Sequence, residues 1–153
     1  MPWKTTHWII TTCRKVFKVY KPNIDTVLTK VTNNQLTGFA DASFAEELDG
    51  RKSTTGKLLF WGNNLISFKC KQQSIVATSS CEAELIAIND LALEIEHKIN
   101  LLDELGFPLE QPAILYTDSL SALHLIMNQG ISKRSRAKHI DLRRYKILEL
   151  FSV

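Results

Sequence analysis

The sequence predicts an α/β fold in which a mixed β-sheet is flanked by helices. Three observations carry this prediction. Residues 36–43, 55–61 and 65–70 have strand-like patterns. A long stretch over about 80–105 repeats its apolar residues at helical spacing, and the compact apolar run 113–117 leads into a short helical pattern. A strand reached through such a crossover runs parallel to its neighbour, and sites form at the carboxyl ends of these strands.

The N-terminal part precedes this sheet. Its first 21 residues present one apolar helical face and end at Lys21-Pro22. Residues 26–31 then predict an additional strand, and Asn33-Asn34 predicts a turn before 36–43. The residues of the helical face are Ile9, Cys13, Val16, Phe17 and Tyr20.

Local signals mark the other element ends. Gly62-Asn63-Asn64 predicts the turn of a β-hairpin. Ser79 followed by Glu82 predicts a capping box at the start of the long helix, which runs to about Gly106. Two further helices are predicted. A short one follows Asp118-Ser119, and the last one spans about 138–151.

Length and composition indicate one folded domain. The chain has 153 residues, of which 44% are apolar and 23% charged. No apolar run approaches the ~18 residues of a membrane helix, so we expect an intracellular protein without a membrane partner. Cys13, Cys70 and Cys81 lack C-x-x-C spacing, which predicts neither a disulfide framework nor a zinc site.

Positive charge is concentrated near the C-terminus. Segment 133–146 is strongly basic and contains a single acid, Asp141. This pattern is typical of a surface that binds a polyanion, and a solvated helix face is the alternative interpretation. The candidate nucleic-acid-binding residues are Lys133, Arg134, Arg136, Lys138, Arg143 and Arg144.

Three carboxylates lie among apolar or small residues. Asp41 interrupts a predicted strand, Asp118 follows another, and Glu84 lies on the sheet-facing side of the long helix, so we expect the three to converge. Clustered acids without His or Cys favour Mg²⁺ or Mn²⁺, and such a site suits phosphodiester cleavage. Taken singly, Asp41 also fits a turn, Asp118 a helix N-cap and Glu84 a first-turn dipole partner.

Six sequence blocks stand out along the chain: GFADA at 38–42, DGRKSTTG at 49–56, ISFKCKQQ at 66–73, VATSSCEAEL at 76–85, YTDS at 116–119 and KHIDLR at 138–143. These blocks resemble the ribonuclease H domain of copia-type (pseudoviridae) retrotransposon polyproteins. They occur in family order and cover about residues 36–150, whereas His7-Trp8 and Arg14 resemble the end of the preceding reverse transcriptase. The resemblance therefore implies a reverse transcriptase end over 1–35 and a ribonuclease H-like domain over 36–153.

The resemblance implies a nuclease that hydrolyses the RNA strand of RNA–DNA hybrids. Asp41, Glu84 and Asp118 match three of the family's four metal-binding acids, which hold two Mg²⁺ (or Mn²⁺) ions. Ser43 is a candidate contact to the RNA 2′-hydroxyl, and a polar residue at the end of a strand is the alternative interpretation. Implied partners are the hybrid and the reverse transcriptase portion of the same polyprotein, and implied locations are cytoplasmic virus-like particles and the nucleus.

The family's fourth acid has no counterpart in this sequence. It belongs to an Ala-Asp-x-x-Thr-Lys segment beyond a further strand, so we expect a domain that is incomplete at its C-terminus. A second hypothesis follows: the chain is an inactive remnant that keeps the fold and binds nucleic acid.

Overall fold

The computed structural model describes residues 29–31, 33–45, 50–127 and 138–151. They form four strands and three helices. In chain order these are β1 (Leu36–Ser43), β2 (Thr54–Trp61), β3 (Asn64–Gln72), α1 (Ser80–Glu104), β4 (Ile114–Tyr116), α2 (Leu120–Met127) and α3 (Lys138–Phe151).

The strands form one mixed sheet in the order β3-β2-β1-β4. β1 and β3 both pair with β2 in antiparallel fashion, whereas β4 pairs with β1 in parallel. The predicted hairpin is present: Trp61 pairs with Asn64, and Gly62 has a φ of +56°. A Cβ atom at Gly62 would also lie 2.6 Å from the carbonyl oxygen of Asn33. Both the positive φ and the lack of space therefore favour glycine at this turn. The predicted fold class is confirmed.

α1 begins with the predicted capping box. The hydroxyl of Ser79 accepts a hydrogen bond from the backbone N–H of Glu82. The Glu82 carboxylate accepts in turn from the backbone N–H and the hydroxyl of Thr78, at 2.8 and 2.6 Å. The return bond therefore reaches one residue before the N-cap, and it leaves Glu82 buried at the helix start.

The main core lies between α1 and one face of the sheet. Because side chains alternate along a strand, Leu36, Gly38 and Ala40 of β1 point towards α1. A Cβ at Gly38 would lie 2.9 Å from Leu91 and 3.1 Å from Ile95, so glycine lets the helix approach the strand closely. α2 and α3 contact α1, and their buried residues Ala122, Ile126 and Ile147 join the same core.

The predicted strand at 26–31 is wrong where it can be checked. Residues 29–31 have no strand structure, and 26–28 lie outside the described residues. The backbone N–H and hydroxyl of Thr29 donate to the side-chain oxygen of Asn64, so a side chain replaces the strand partner. The predicted N-terminal helix lies outside the described residues. None of the described helices is long and apolar enough to cross a membrane.

A charged pair of a buried lysine and a half-buried glutamate lies between β2 and α1. The Lys57 ammonium lies 2.8 Å from a Glu94 carboxylate oxygen and donates to the carbonyl oxygen of Asp90 at 3.0 Å. Burial alone would raise the pKa of Glu94, but hydrogen bonds from Lys57 and Ser67, with the positive charge of Lys57, outweigh it and lower that pKa. Lys57 therefore joins the helix to the sheet through satisfied polar groups.

Removing only the cation should destabilise the fold. We expect Lys57→Met to lower the free energy of unfolding by about 3 kcal/mol, because it leaves the Glu94 carboxylate without its main partner. The double variant Lys57→Met/Glu94→Met should recover part of that loss, since no unpaired charge remains. Urea denaturation of both variants measures this, and a double variant less stable than Lys57→Met would contradict it.

Candidate metal centre

Three carboxylates converge at one edge of the sheet. Asp41 lies near the end of β1, Asp118 follows the parallel strand β4, and Glu84 belongs to the start of α1. One oxygen of each carboxylate lies within 4.8 Å of the others. The predicted convergence is confirmed. It arises because β1 and β4 are parallel and bring their carboxyl ends to the same edge.

Glu84 is the most perturbed acid of the cluster. One of its oxygens accepts a hydrogen bond from the backbone N–H of Ala42 at 3.2 Å, and the other is buried without a hydrogen-bond partner. Burial, followed by repulsion from Asp41 and Asp118, raises the pKa of Glu84 to about 8. The carboxylate form is therefore disfavoured here unless a positive charge compensates it.

The cluster fits a hard divalent cation. Its donors are all carboxylate oxygens, and the separation of up to 4.8 Å is close to twice the Mg²⁺–oxygen distance of about 2.1 Å. The buried, unpartnered oxygen of Glu84 is the acceptor that such an ion would satisfy. Asp41 is 7% exposed and Asp118 is exposed, so the site has an inner side within the fold and an outer side open to a ligand.

Asp118 is not the N-cap of α2. That position belongs to Ser119, whose hydroxyl accepts from the backbone N–H of Ala122 at 3.2 Å. Asp118 contributes its backbone carbonyl to the N–H of Leu120 at 3.1 Å. The structural alternative for Asp118, a capping carboxylate, is therefore wrong, and its carboxylate turns to the acidic cluster.

Gln73 helps to position the start of α1, a role that the sequence did not predict. Its buried amide donates to the hydroxyl of Thr55 at 3.0 Å and to the carbonyl oxygen of Ala83 at 2.9 Å. Because Ala83 precedes Glu84, these bonds fix the first turn of α1 against β2. Gln72 and Gln73 follow the predicted strand 65–70, and the sequence pattern does not indicate which of the two glutamines is buried.

The predicted nucleic-acid-binding residues lie in different parts of the structure, and some lie outside the described residues. Ser43 ends β1, on the same sheet face as Asp41 by strand alternation. Lys138 begins α3, and the guanidinium of Arg143 is partly buried, with one nitrogen that has no hydrogen-bond partner. Lys133, Arg134 and Arg136 lie outside the described residues.

Arg144 corrects the predicted set. It is only 4% exposed, and its Nε donates to the carbonyl oxygen of Ile126 at 2.7 Å. Its guanidinium also lies 5.5 Å from the ring centre of Tyr145. Arg144 therefore joins α3 to the end of α2 and is not placed for a phosphate contact. The reason is its position on α3, where it faces α2.

We expect Arg144→Met to act on stability and not on binding. It should lower the free energy of unfolding by about 2 kcal/mol, because the buried carbonyl of Ile126 loses its donor. Lys138→Met should instead weaken the binding of an RNA–DNA hybrid and reduce its salt dependence. Denaturation and hybrid titrations at several salt concentrations test the pair, and a reduced salt dependence for folded Arg144→Met would contradict this assignment.

Comparison with known proteins relates this chain to the Pol polyproteins of transposons. No family model matches the chain. The chain is 38% identical over 115 residues to the "Retrovirus-related Pol polyprotein from transposon TNT 1-94" of Nicotiana tabacum. The aligned part covers 75% of this chain and 8% of that protein. The chain is 34% identical over 121 residues to the Pol polyproteins from transposons RE1 and RE2 of Arabidopsis thaliana, which covers 79% of this chain and 8% of each.

Solved structures give the same result for the fold. LC11-RNase H1, isolated from compost by a metagenomic approach, matches with a TM-score of 0.51 at 17% identity, covering 76% of this chain and 75% of that one. The same enzyme in complex with an RNA/DNA hybrid matches with a TM-score of 0.51 at 13% identity, covering 75% of each chain.

The chain is a relative of transposon Pol polyproteins and has the ribonuclease H fold. The part of this chain that matches spans 8% of the length of each of these polyproteins. The blocks that carried the resemblance contain all three acids of the cluster: Asp41, Glu84 and Asp118. The family resemblance and the geometry therefore select the same residues.

Proposed function

We propose that this ribonuclease H-like domain hydrolyses the RNA strand of RNA–DNA hybrids in a Mg²⁺-dependent reaction. The observation that carries the proposal is the convergence of Asp41, Glu84 and Asp118 within a ribonuclease H fold. Mn²⁺ is the alternative metal, since both ions accept oxygen ligands. Asp41, Glu84 and Asp118 would hold two such ions, which together would supply the charge for phosphodiester hydrolysis.

Each acid has a distinct part in the proposed site. Asp41 lies on β1, between β2 and β4, and is the buried acid of the site. Glu84 is oriented by the N–H of Ala42, so its buried oxygen points to a fixed place. Asp118 is the exposed acid and faces the incoming phosphate. Bound Mg²⁺ would supply positive charge to activate water and to stabilise the leaving oxygen.

The proposed substrate surface includes residues outside this cluster. Ser43 is proposed to lie near the 2′-hydroxyl that distinguishes RNA from DNA, because it shares a sheet face with Asp41. Lys133, Arg134, Arg136, Lys138 and Arg143 are proposed to contact hybrid phosphates. The reverse transcriptase portion of the same polyprotein is the proposed protein partner, in virus-like particles and later in the nucleus.

A cleavage assay tests the proposal. The chain is incubated with an end-labelled RNA–DNA hybrid in Mg²⁺, in Mn²⁺ and with a chelator, and with double-stranded DNA as the substrate control. We expect the RNA strand to be cut only with the hybrid and only when a divalent metal is present. Cleavage that persists in the chelator would contradict the metal requirement.

The inactive-remnant hypothesis gives a different result in the same assay. It predicts hybrid binding without cleavage in either metal. Unfolding measurements with and without Mg²⁺ then separate two causes. A chain that is stabilised by Mg²⁺ but does not cleave has a metal site without activity, whereas a chain that Mg²⁺ does not stabilise lacks the proposed site.

A further inference from the structure

The three acids of the metal centre belong to two different layers of the fold. Asp41 lies on β1 and Asp118 directly follows β4, and these two strands are paired in one sheet. Glu84 is the one acid of the three that belongs to α1, which packs on that sheet. The distance from Glu84 to the other two carboxylates therefore depends on how the first turn of α1 is held against the strands.

Gln73 connects that first turn to the sheet. It is the first residue after β3, and its backbone N–H donates to the carbonyl oxygen of Ser53 at 2.8 Å. From this fixed point its side-chain amide donates to the hydroxyl of Thr55 on β2 and to the carbonyl oxygen of Ala83 on α1. One nitrogen atom therefore joins β2 to the residue that precedes Glu84.

These contacts close into a ring around Glu84. Thr55 pairs with Ala42 in the register of β2 and β1. The backbone N–H of Ala42 donates in turn to the Glu84 carboxylate at 3.2 Å. The members of this ring, which we call the Gln73 ring, are Gln73, Thr55, Ala42, Glu84 and Ala83.

The Gln73 ring lies within the packed interior. Gln73 is 6% exposed, Thr55 is 4% exposed and Ala83 is fully buried. The side chain of Ala42 packs against the small apolar cluster that contains Ala83 and Ile86. Because interiors are close-packed, a change at one member of the ring is transmitted to the others.

The orientation of the Gln73 amide is decided by its nitrogen. A backbone carbonyl can only accept a hydrogen bond, so the nitrogen of the amide, and not its oxygen, faces Ala83. The amide oxygen is buried and has no hydrogen-bond partner among the described residues. The two contacts of the nitrogen therefore outweigh the cost of an unpaired buried oxygen.

We propose that Gln73 is a positioning residue of the metal centre, which sets the affinity for a divalent cation by holding Glu84 in place. This inference rests on the proposed metal-dependent function. Loss of a group that orients a metal ligand commonly lowers metal affinity about 10- to 100-fold. Gln73 acts in this way on Glu84 through Ala83 on one side and through Thr55 and Ala42 on the other.

Mn²⁺ titration of the full chain tests the proposal, with free Mn²⁺ measured by electron paramagnetic resonance. The variant is Gln73→Met, which keeps the length of the side chain and removes the amide. All three carboxylates of the cluster remain in this variant. We expect the dissociation constant for Mn²⁺ to rise about tenfold, because Glu84 is no longer held at a fixed distance from the sheet.

Two controls separate positioning from general stability. Gln72→Met makes the same chemical change at the exposed neighbouring residue and should leave the Mn²⁺ affinity unchanged. Arg144→Met also removes a buried donor from a backbone carbonyl, that of Ile126, but between α2 and α3. It should lower stability and leave the Mn²⁺ affinity of the folded chain unchanged. An affinity loss in Arg144→Met as large as that in Gln73→Met would overturn the proposal.

The failure of this proposal differs from the failure of the proposed function. Equal Mn²⁺ affinities of the parent and folded Gln73→Met would overturn only the role of Gln73. A parent chain that binds no Mn²⁺ would overturn the metal centre itself, and the role of Gln73 with it.

A second variant keeps the test independent of how well Gln73→Met folds. Thr55→Val keeps the shape of the side chain and removes only the hydroxyl that accepts from Gln73. We expect a rise of the Mn²⁺ dissociation constant in the same direction but smaller, since the contact of Gln73 with Ala83 remains. Circular dichroism establishes which variants are folded, and an unchanged affinity in folded Thr55→Val would overturn the proposal.

Discussion

Glu84→Gln is expected to reduce metal-dependent cleavage of an RNA–DNA hybrid by at least about a hundredfold. Replacing a residue that only orients a metal ligand commonly costs 10- to 100-fold, and Glu84 is proposed to be a ligand itself. The variant keeps the size of the side chain and can still accept from the N–H of Ala42. Single-turnover cleavage rates at saturating enzyme measure the loss.

The chain offers a matched control two residues away. Glu82 is in the same turn of α1, but its carboxylate accepts hydrogen bonds from Thr78 and does not belong to the acidic cluster. Glu82→Gln should keep the cleavage rate within a few-fold and cost at most about 1 kcal/mol of stability. Equal loss of cleavage from both variants would contradict the assignment of Glu84 to the metal centre.

The same Glu84→Gln variant should be more stable than the parent when metal is removed. In the parent, the pKa of Glu84 is about 8 in the folded chain, against 4.5 as its ordinary value. This difference sets an upper limit of about 5 kcal/mol for the destabilisation that Glu84 causes. We expect a gain of about 3 kcal/mol near pH 8, because water reaching the open side of the site lessens both the desolvation of Glu84 and its repulsion from Asp41 and Asp118.

The pH dependence has a definite sign. Below pH 4.5 Glu84 is protonated in both the folded and the unfolded chain, so it has no effect on the pH dependence there. Between pH 4.5 and about 8 the unfolded chain has lost this proton and the folded chain retains it, so stability falls as pH rises. Urea denaturation in a chelator should show this fall in the parent and in Glu82→Gln, and a smaller fall in Glu84→Gln.

Mg²⁺ should reverse the order of the variants. A cation bound to the cluster favours the carboxylate form of Glu84, so the parent should gain stability with Mg²⁺ concentration near pH 8. Glu84→Gln should gain much less. A Glu84→Gln variant that is less stable than the parent in the chelator, or one that gains as much from Mg²⁺, would contradict this account of the site.

The sequence determined the parts of this protein that depend on local patterns. The strand-like pattern of 36–43 and the helical spacing over about 80–105 predicted β1 and α1 almost residue for residue, because both signals are local in the sequence. The capping box at Ser79 and Glu82 was predicted for the same reason, since its partners are close in the chain. The three acids were found because each broke an apolar or small-residue pattern.

The tertiary structure decided which polar groups are buried and what they contact. Lys57 is a charge within a strand whose pairing with Glu94 spans 37 residues, and no local pattern encodes that distance. Arg144 belongs to a basic run, yet its position on α3 turns it to the carbonyl of Ile126 and away from solvent. Thr29 satisfies its backbone with the side chain of Asn64, which a strand pattern cannot foresee. Burial and partner choice depend on how the elements pack, and packing joins residues that are remote in sequence.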